Sequence, residues 1–257
     1  MSGIAALALV AVLAALSWMS WRDSLDYAEF KLLTASIDRI RFYRRWTLIP
    51  LALFGIGGYG LLLSLGRIDA LWDLPAEFTK LIAPFEVARQ SENSASDSLL
   101  GMAIGIALGL TVPAIIWRNR LKKMRQPVIG DIEALLPRNR KEIAASVPLA
   151  LNAGISEEIF YRVALPILAL EATGSVVASI LISIAAFGLA HWYQGWKGVL
   201  ATSAVGAFLF WLYLSSGSIL KPMVVHVLID LMGLVIRPAI SHYLANRHGA
   251  PDGSVSS

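Results

Sequence analysis

The sequence predicts an all-α fold: a polytopic transmembrane bundle of about seven helices, with the N-terminus outside and the C-terminus inside. Three observations predict it. Of 257 residues, 56% are hydrophobic and only 16% charged, with a mean hydropathy of +0.64. Ordinary soluble domains are about 45–50% apolar and about 25% charged. Such a chain cannot hide its apolar surface in one aqueous core, which excludes a soluble enzyme, a disordered tail and a nucleic-acid module. Second, apolar runs of about 20 residues, the length that crosses a bilayer, recur along the chain. Third, basic and acidic loops alternate between them.

Gly3–Trp21 is the first run, with Trp18 and Trp21 placed as interfacial anchors. Its amino end lacks basic residues and no small-residue cleavage site follows, so it reads as a retained span rather than a secretory signal. Trp46–Leu65, Leu99–Trp117, Ile143–Leu170, Ser175–Tyr193, Val199–Leu214 and Ile219–Ile236 follow. The run from Ile143 is too long for a simple crossing. From Asn246 onward, Gly249, Pro251, Gly253 and three serines read as a disordered tail. Three regions result: 1–142, an N-terminal transmembrane region with basic cytoplasmic loops; 143–237, a core whose spans contain charges; and 238–257, a flexible tail.

The loops give the orientation. Arg22–Arg45 carries six Lys/Arg and Arg118–Glu142 eight, whereas Gly66–Ser98 carries three against six acids. The positive-inside rule puts the two basic loops in the cytoplasm and the acidic one outside. The net charge of +4 is therefore read as an orientation signal, with the bilayer and not a nucleic acid as partner. The expected setting is a bacterial-type plasma membrane. Cysteine is absent, which removes disulfides, thiolate nucleophiles and cysteine-bound metals.

Apart from Lys221, which sits at a span end and snorkels, six charged or histidine residues fall within the last four runs: Glu157, Glu158, Arg162, His191, His226 and Asp230. A charge near the bilayer centre costs about 2.5–3.5 kcal/mol even on the lenient insertion scale, so such groups pair or line a wet cavity. Glu158 and Arg162 stand four apart with the acid first, the better order for a helical pair. Glu157 lies about 100° around the helix from Glu158, so both cannot sit equally well against Arg162 and one glutamate is left less compensated. His226 and Asp230 are also four apart, and the acid can orient the imidazole. Counting back from Arg237 puts Asp230 roughly 10 Å and His226 roughly 16 Å deep, and counting from Lys197 puts His191 roughly 9 Å deep. Glu157 reaches the same level, roughly 9 Å, if its helix crosses only from about Leu151 onward. The site then faces the cytoplasmic half.

Glu157-Glu158-Ile159-Phe160-Tyr161-Arg162 matches an EExxxR motif, Phe187 to His191 an FxxxH motif, and His226 to Asp230 an HxxxN/D motif. Together they resemble the CPBP intramembrane proteases, the Abi-type family of CAAX-prenyl endopeptidases and bacteriocin-processing enzymes. The resemblance covers roughly Ile143 to Ile236. It implies an intramembrane endopeptidase in which Glu157 activates water with His191 as partner. Glu158 and Arg162 resemble the supporting pair, and His226 and Asp230 the groups that polarise the scissile carbonyl. Val163 stands where many members have glycine. Asp230 stands where the prenyl-protein branch tends to have asparagine, so here it reads more as an orienter of His226.

If a divalent metal such as zinc is used, Glu157, His191 and His226 are the ligands. No HExxH pair exists, and a metal-free glutamate–histidine mechanism fits slightly better. The expected substrate is a lipidated or hydrophobic peptide or protein. Two other functions fit intramembrane charges: a proton-coupled transporter, and a non-catalytic immunity or chaperone-like membrane protein. The first would show repeated halves and interrupted helices, and neither is visible. His242 and His248 read as solvated.

Overall fold

Leucine, alanine and valine, unbroken by proline or glycine, start the first helix, and it does not stop where the apolar run stops. Helix α1 (Gly3–Leu32) continues eleven residues past Trp21. A short turn leads into α2 (Ser36–Ser64). The stretch read as a basic loop, Arg22–Arg45, is thus mostly helical. The reason is a second apolar period inside the charged stretch. Tyr27 and Phe30 pack with Phe42, Tyr43 and Trp46 in a buried aromatic cluster. The Phe30 and Phe42 rings lie 4.5 Å apart, and Phe42 and Trp46 4.7 Å apart.

The computed structural model describes residues 3–90 and 130–248. These divide between two units, Met1–Pro75 with Ile129–Ser257, and Ala76–Val128. Of the second, the described part is one helix, α3 (Ala76–Gln90), inside the stretch read as an acidic loop. The Leu99–Trp117 run lies outside the described residues.

In the first unit, α4 is a continuous helix over residues 140–173. Asn139 caps it, its side-chain oxygen accepting from the N–H groups of Lys141 and Glu142. Gly174, at φ +68°, ends it in the left-handed conformation that a Cβ disfavours. The wide i→i+5 turn appears twice within α4, over Ala153–Glu157 and Ile159–Ala164. Pro166 lacks the N–H that would bond the Arg162 carbonyl, and its ring crowds that carbonyl, which opens the second of these turns. Ser175 caps α5 (Val176–Ala190), a 3-10 turn covers Trp192–Gln194, and α6 (Gly195–Ser216) and α7 (residues 220–248) complete the unit.

Every regular element among the described residues is helical. Among the described residues, four helices are long and apolar enough to cross a membrane: Gly3–Leu32, Ser36–Ser64, Trp192–Ser216 and Leu220–Tyr243. Val176–Ala190 is apolar but only 15 residues long. Leu7, Leu48, Leu181, Leu200 and Val224 project from the outer faces with more than half their area exposed, as a lipid-facing surface requires. Helix α7 carries on to His248, and residues 249–257 lie outside the described residues. His242, expected in solvent, places Nε2 3.0 Å from the Pro137 carbonyl.

One charge read as a pure orientation signal has another role. Arg39 is fully buried and pairs with fully buried Glu142 at 2.9 Å. Its guanidinium also donates to the carbonyls of Ala134 and Leu136 and to the Tyr43 hydroxyl. Ser36 donates to the other Glu142 oxygen at 2.6 Å. This cluster pins the start of α2 to the start of α4.

Candidate functional site

The two wide turns of α4 present the Glu157–Arg162 motif to α5 and α7. Close approach fixes the α7 contact. A Cβ on Gly154 would meet the Val227 backbone nitrogen at 2.6 Å, so only glycine lets α4 lie against α7 beside His226. On the other side, the Ser183 hydroxyl donates to the Tyr161 carbonyl and ties α5 to α4.

Glu158 and Arg162 form a fully buried ion pair at 3.0 Å. It is an electrostatic contact rather than an aligned hydrogen bond, and Nη1 and Nη2 of Arg162 find no acceptor among the described residues. The guanidinium instead lies 4.6 Å from the centre of the Phe187 ring, a cation–π contact. The other Glu158 oxygen, Oε1, receives His226 Nδ1 at 2.9 Å. The motif spacing suggested Asp230 as the orienter of His226. The structure puts Asp230 Oδ2 3.7 Å from Nε2, farther than the Glu158 contact. Glu158 is thus the nearer partner, a pairing between distant positions that spacing within one helix cannot reveal.

Glu157 stands apart from this network. Its Oε2 is buried and has no hydrogen-bond partner among the described residues. It lines a cavity of about 280 Å³ together with His191, His226 and Asp230. Glu158 and Arg162 do not line it; they sit behind its wall. His191 ends α5 with Nδ1 2.9 Å from the Phe187 carbonyl. A carbonyl only accepts, so Nδ1 carries the proton, and neutral His191 keeps an unprotonated Nε2. The Phe187 ring touches both histidines, at 5.1 Å from His191 and edge-on at 5.9 Å from His226. Four of the six expected site residues therefore meet at one cavity, and the other two brace it.

The rest of the lining comes partly from residues that no motif marked. Met19 and Asp23 of α1 and Trp46, Ile49, Pro50 and Phe54 of α2 form a wall. Tyr193 joins them, its ring 5.0 Å from Trp46 and 5.3 Å from Tyr27. The available signal was Asp23 itself, a carboxylate just past Trp21 in what proves to be continuous helix. Among the described residues no group of three or more His, Asp or Glu side chains is placed to hold a metal ion. Glu157, His191 and His226 thus do not form a ligand triad here, and His226 gives Nδ1 to Glu158 instead.

The arrangement offers a carboxylate and an imidazole free to accept protons beside a second imidazole with donors. Such a set can activate water and stabilise an oxyanion. Residues 139–232 match the family model described as Rce1-like, type II CAAX prenyl endopeptidase Rce1-like. The matched stretch contains all six candidate site residues and agrees with the CPBP resemblance. No curated protein and no solved structure matches the chain.

Proposed function

We propose that this chain, whose residues 139–232 carry an Rce1-like domain of the CPBP protease type, is an intramembrane endopeptidase acting on membrane-associated peptides or proteins. The observation that carries this reading is the division between adjacent glutamates. Glu158 is consumed by Arg162 and His226, whereas Glu157 turns an unpartnered oxygen to a cavity shared with His191 and His226.

In this mechanism Glu157 accepts a proton from water as the oxygen attacks the scissile carbonyl carbon. His191 Nε2 accepts the second hydrogen of that water and holds its orientation. His226, when protonated, gives Nδ1–H to Glu158 and keeps Nε2–H for the developing oxyanion, with Asp230 beside it. The proton held by Glu157 then passes to the leaving amine as the carbon–nitrogen bond breaks, which regenerates the carboxylate. No step passes through a metal.

The basic flanks of the spans support a site opening on the cytoplasmic half of a plasma membrane. Lipidated proteins, short hydrophobic peptides and leader segments fit that access; a folded soluble protein does not, because backbone must thread between helices. Comparative peptidomics of membrane fractions tests the reading. Precursors should accumulate with Glu157→Ala relative to wild type. Identical peptide profiles, with a proton-dependent solute flux lost in the variant, would replace the protease by a transporter.

A further inference from the structure

Asp23 is a carboxylate in an otherwise apolar stretch of cavity wall, facing the site from a helix outside the matched domain. Its neighbours are accounted for. Asp26, one turn on, takes Arg45 in an ion pair, and Arg22 lies with its guanidinium 5.7 Å from the Trp18 ring. Asp23 itself makes no ion pair among the described residues. Ser20, one turn before it on the same face, donates to the Leu189 carbonyl at 2.6 Å and so fixes how α1 sits against α5 beside His191. Trp18 and Trp21 are 60% and 57% exposed, the pattern of an interfacial anchor. That anchoring sets Asp23, two residues past Trp21, near headgroup level.

At that level a membrane-anchored peptide carries its lysines and arginines, because cationic residues concentrate where spans leave the hydrocarbon. A half-buried carboxylate held on a helix is the group that would select one of them. Building on the endopeptidase reading, we infer that Asp23 is a specificity-determining residue that binds the lysine or arginine side chain flanking the apolar segment of the substrate. The apolar wall of Met19, Trp46, Ile49 and Phe54 takes the neighbouring apolar side chains.

The test uses the full chain in phosphatidylcholine nanodiscs. The probes are fluorescent hydrophobic peptides identical except for one flanking residue: lysine, norleucine or glutamate. Anisotropy titration should show the lysine peptide bound about fivefold more tightly than the norleucine peptide, as one partly desolvated charge pair gives. Asp23→Asn should erase that preference, Asp23→Glu should keep most of it, and Asp23→Lys should turn it toward the glutamate peptide. A preference that survives Asp23→Asn, or is absent from wild type, overturns the inference. Cleavage of the same peptides by wild type and Glu157→Gln is read in parallel. Cleavage without charge preference sinks the role of Asp23 and leaves the endopeptidase standing. Preference without cleavage sinks the endopeptidase and leaves the cation site.

Discussion

His226 presents Nδ1 to Oε1 of Glu158 at 2.9 Å, across 68 positions of sequence, while the other Glu158 oxygen faces Arg162 at 3.0 Å. One carboxylate thereby joins α4 to α7 and sets the ring plane of His226. Its neighbour Glu157 is left to the cavity. The pair of glutamates in the motif is thus a pair of different tools, one for holding and one for reacting, and substitutions should separate them.

His191→Ala should lower the peptide cleavage rate about 10²–10⁴-fold, the range expected for removing a positioned base. The protein should still insert and elute as wild type on size exclusion, because among the described residues the His191 side chain hydrogen-bonds within its own helix, to the Phe187 carbonyl. Cleavage followed by mass spectrometry on any peptide that wild type cuts decides it. Full retained activity would remove His191 from the reacting set.

Much of this was legible in the sequence. The composition and the apolar runs dictated helices, and the four-residue spacing of Glu158 and Arg162 anticipated their ion pair. What spacing cannot carry is tertiary partnership. Glu158 with His226, and Arg39 with Glu142, join residues on different helices, and nothing local announces them. The length of α1 was missed for another reason. Its charges from Arg22 onward look like a loop until Tyr27 and Phe30 are seen to share a buried face with α2. That error also hid the α1 and α2 wall of the cavity, and with it Asp23.

Arg162→Ala should destabilise the fold by about 3–5 kcal/mol, because it strands the buried Glu158 carboxylate. Both partners have no exposed side-chain area, so solvent cannot replace the lost charge. Thermal unfolding in detergent measures the loss. Adding Glu158→Gln to Arg162→Ala should recover part of it, since the second substitution removes the buried charge that Arg162 had balanced. A double variant no more stable than the single one would show that packing against Phe187 accounts for the effect.

Gly154→Ala adds one methyl group where the Val227 backbone nitrogen would lie 2.6 Å away. Neither helix backbone can yield without parting α4 from α7, and overpacking of this kind costs about 1–3 kcal/mol. Separation should also lengthen the Glu158–His226 contact, so activity should fall further than stability alone explains. The check is the cleavage rate at a temperature where the variant remains fully folded. An unchanged rate there would mean that His226 keeps its place without the close approach.

The last prediction uses Glu142, in the first turn of α4. Burial pushes its carboxyl up, but the Ser36 hydroxyl, the Arg138 backbone N–H and Arg39 outweigh burial. Its pKa falls below the ordinary 4.5. The folded state therefore holds this group ionised more strongly than the unfolded chain does. Its contribution to stability is fully present above about pH 4.5 and is lost as pH falls through the lowered folded value. Unfolding temperature in detergent should decline on acidification below that point. Glu142→Gln should be less stable than wild type at neutral pH and should show a shallower acid decline, because the titrating group is gone. Parallel acid profiles for the two proteins would mean that other carboxylates govern the loss and that the Arg39–Glu142 cluster stays intact in acid.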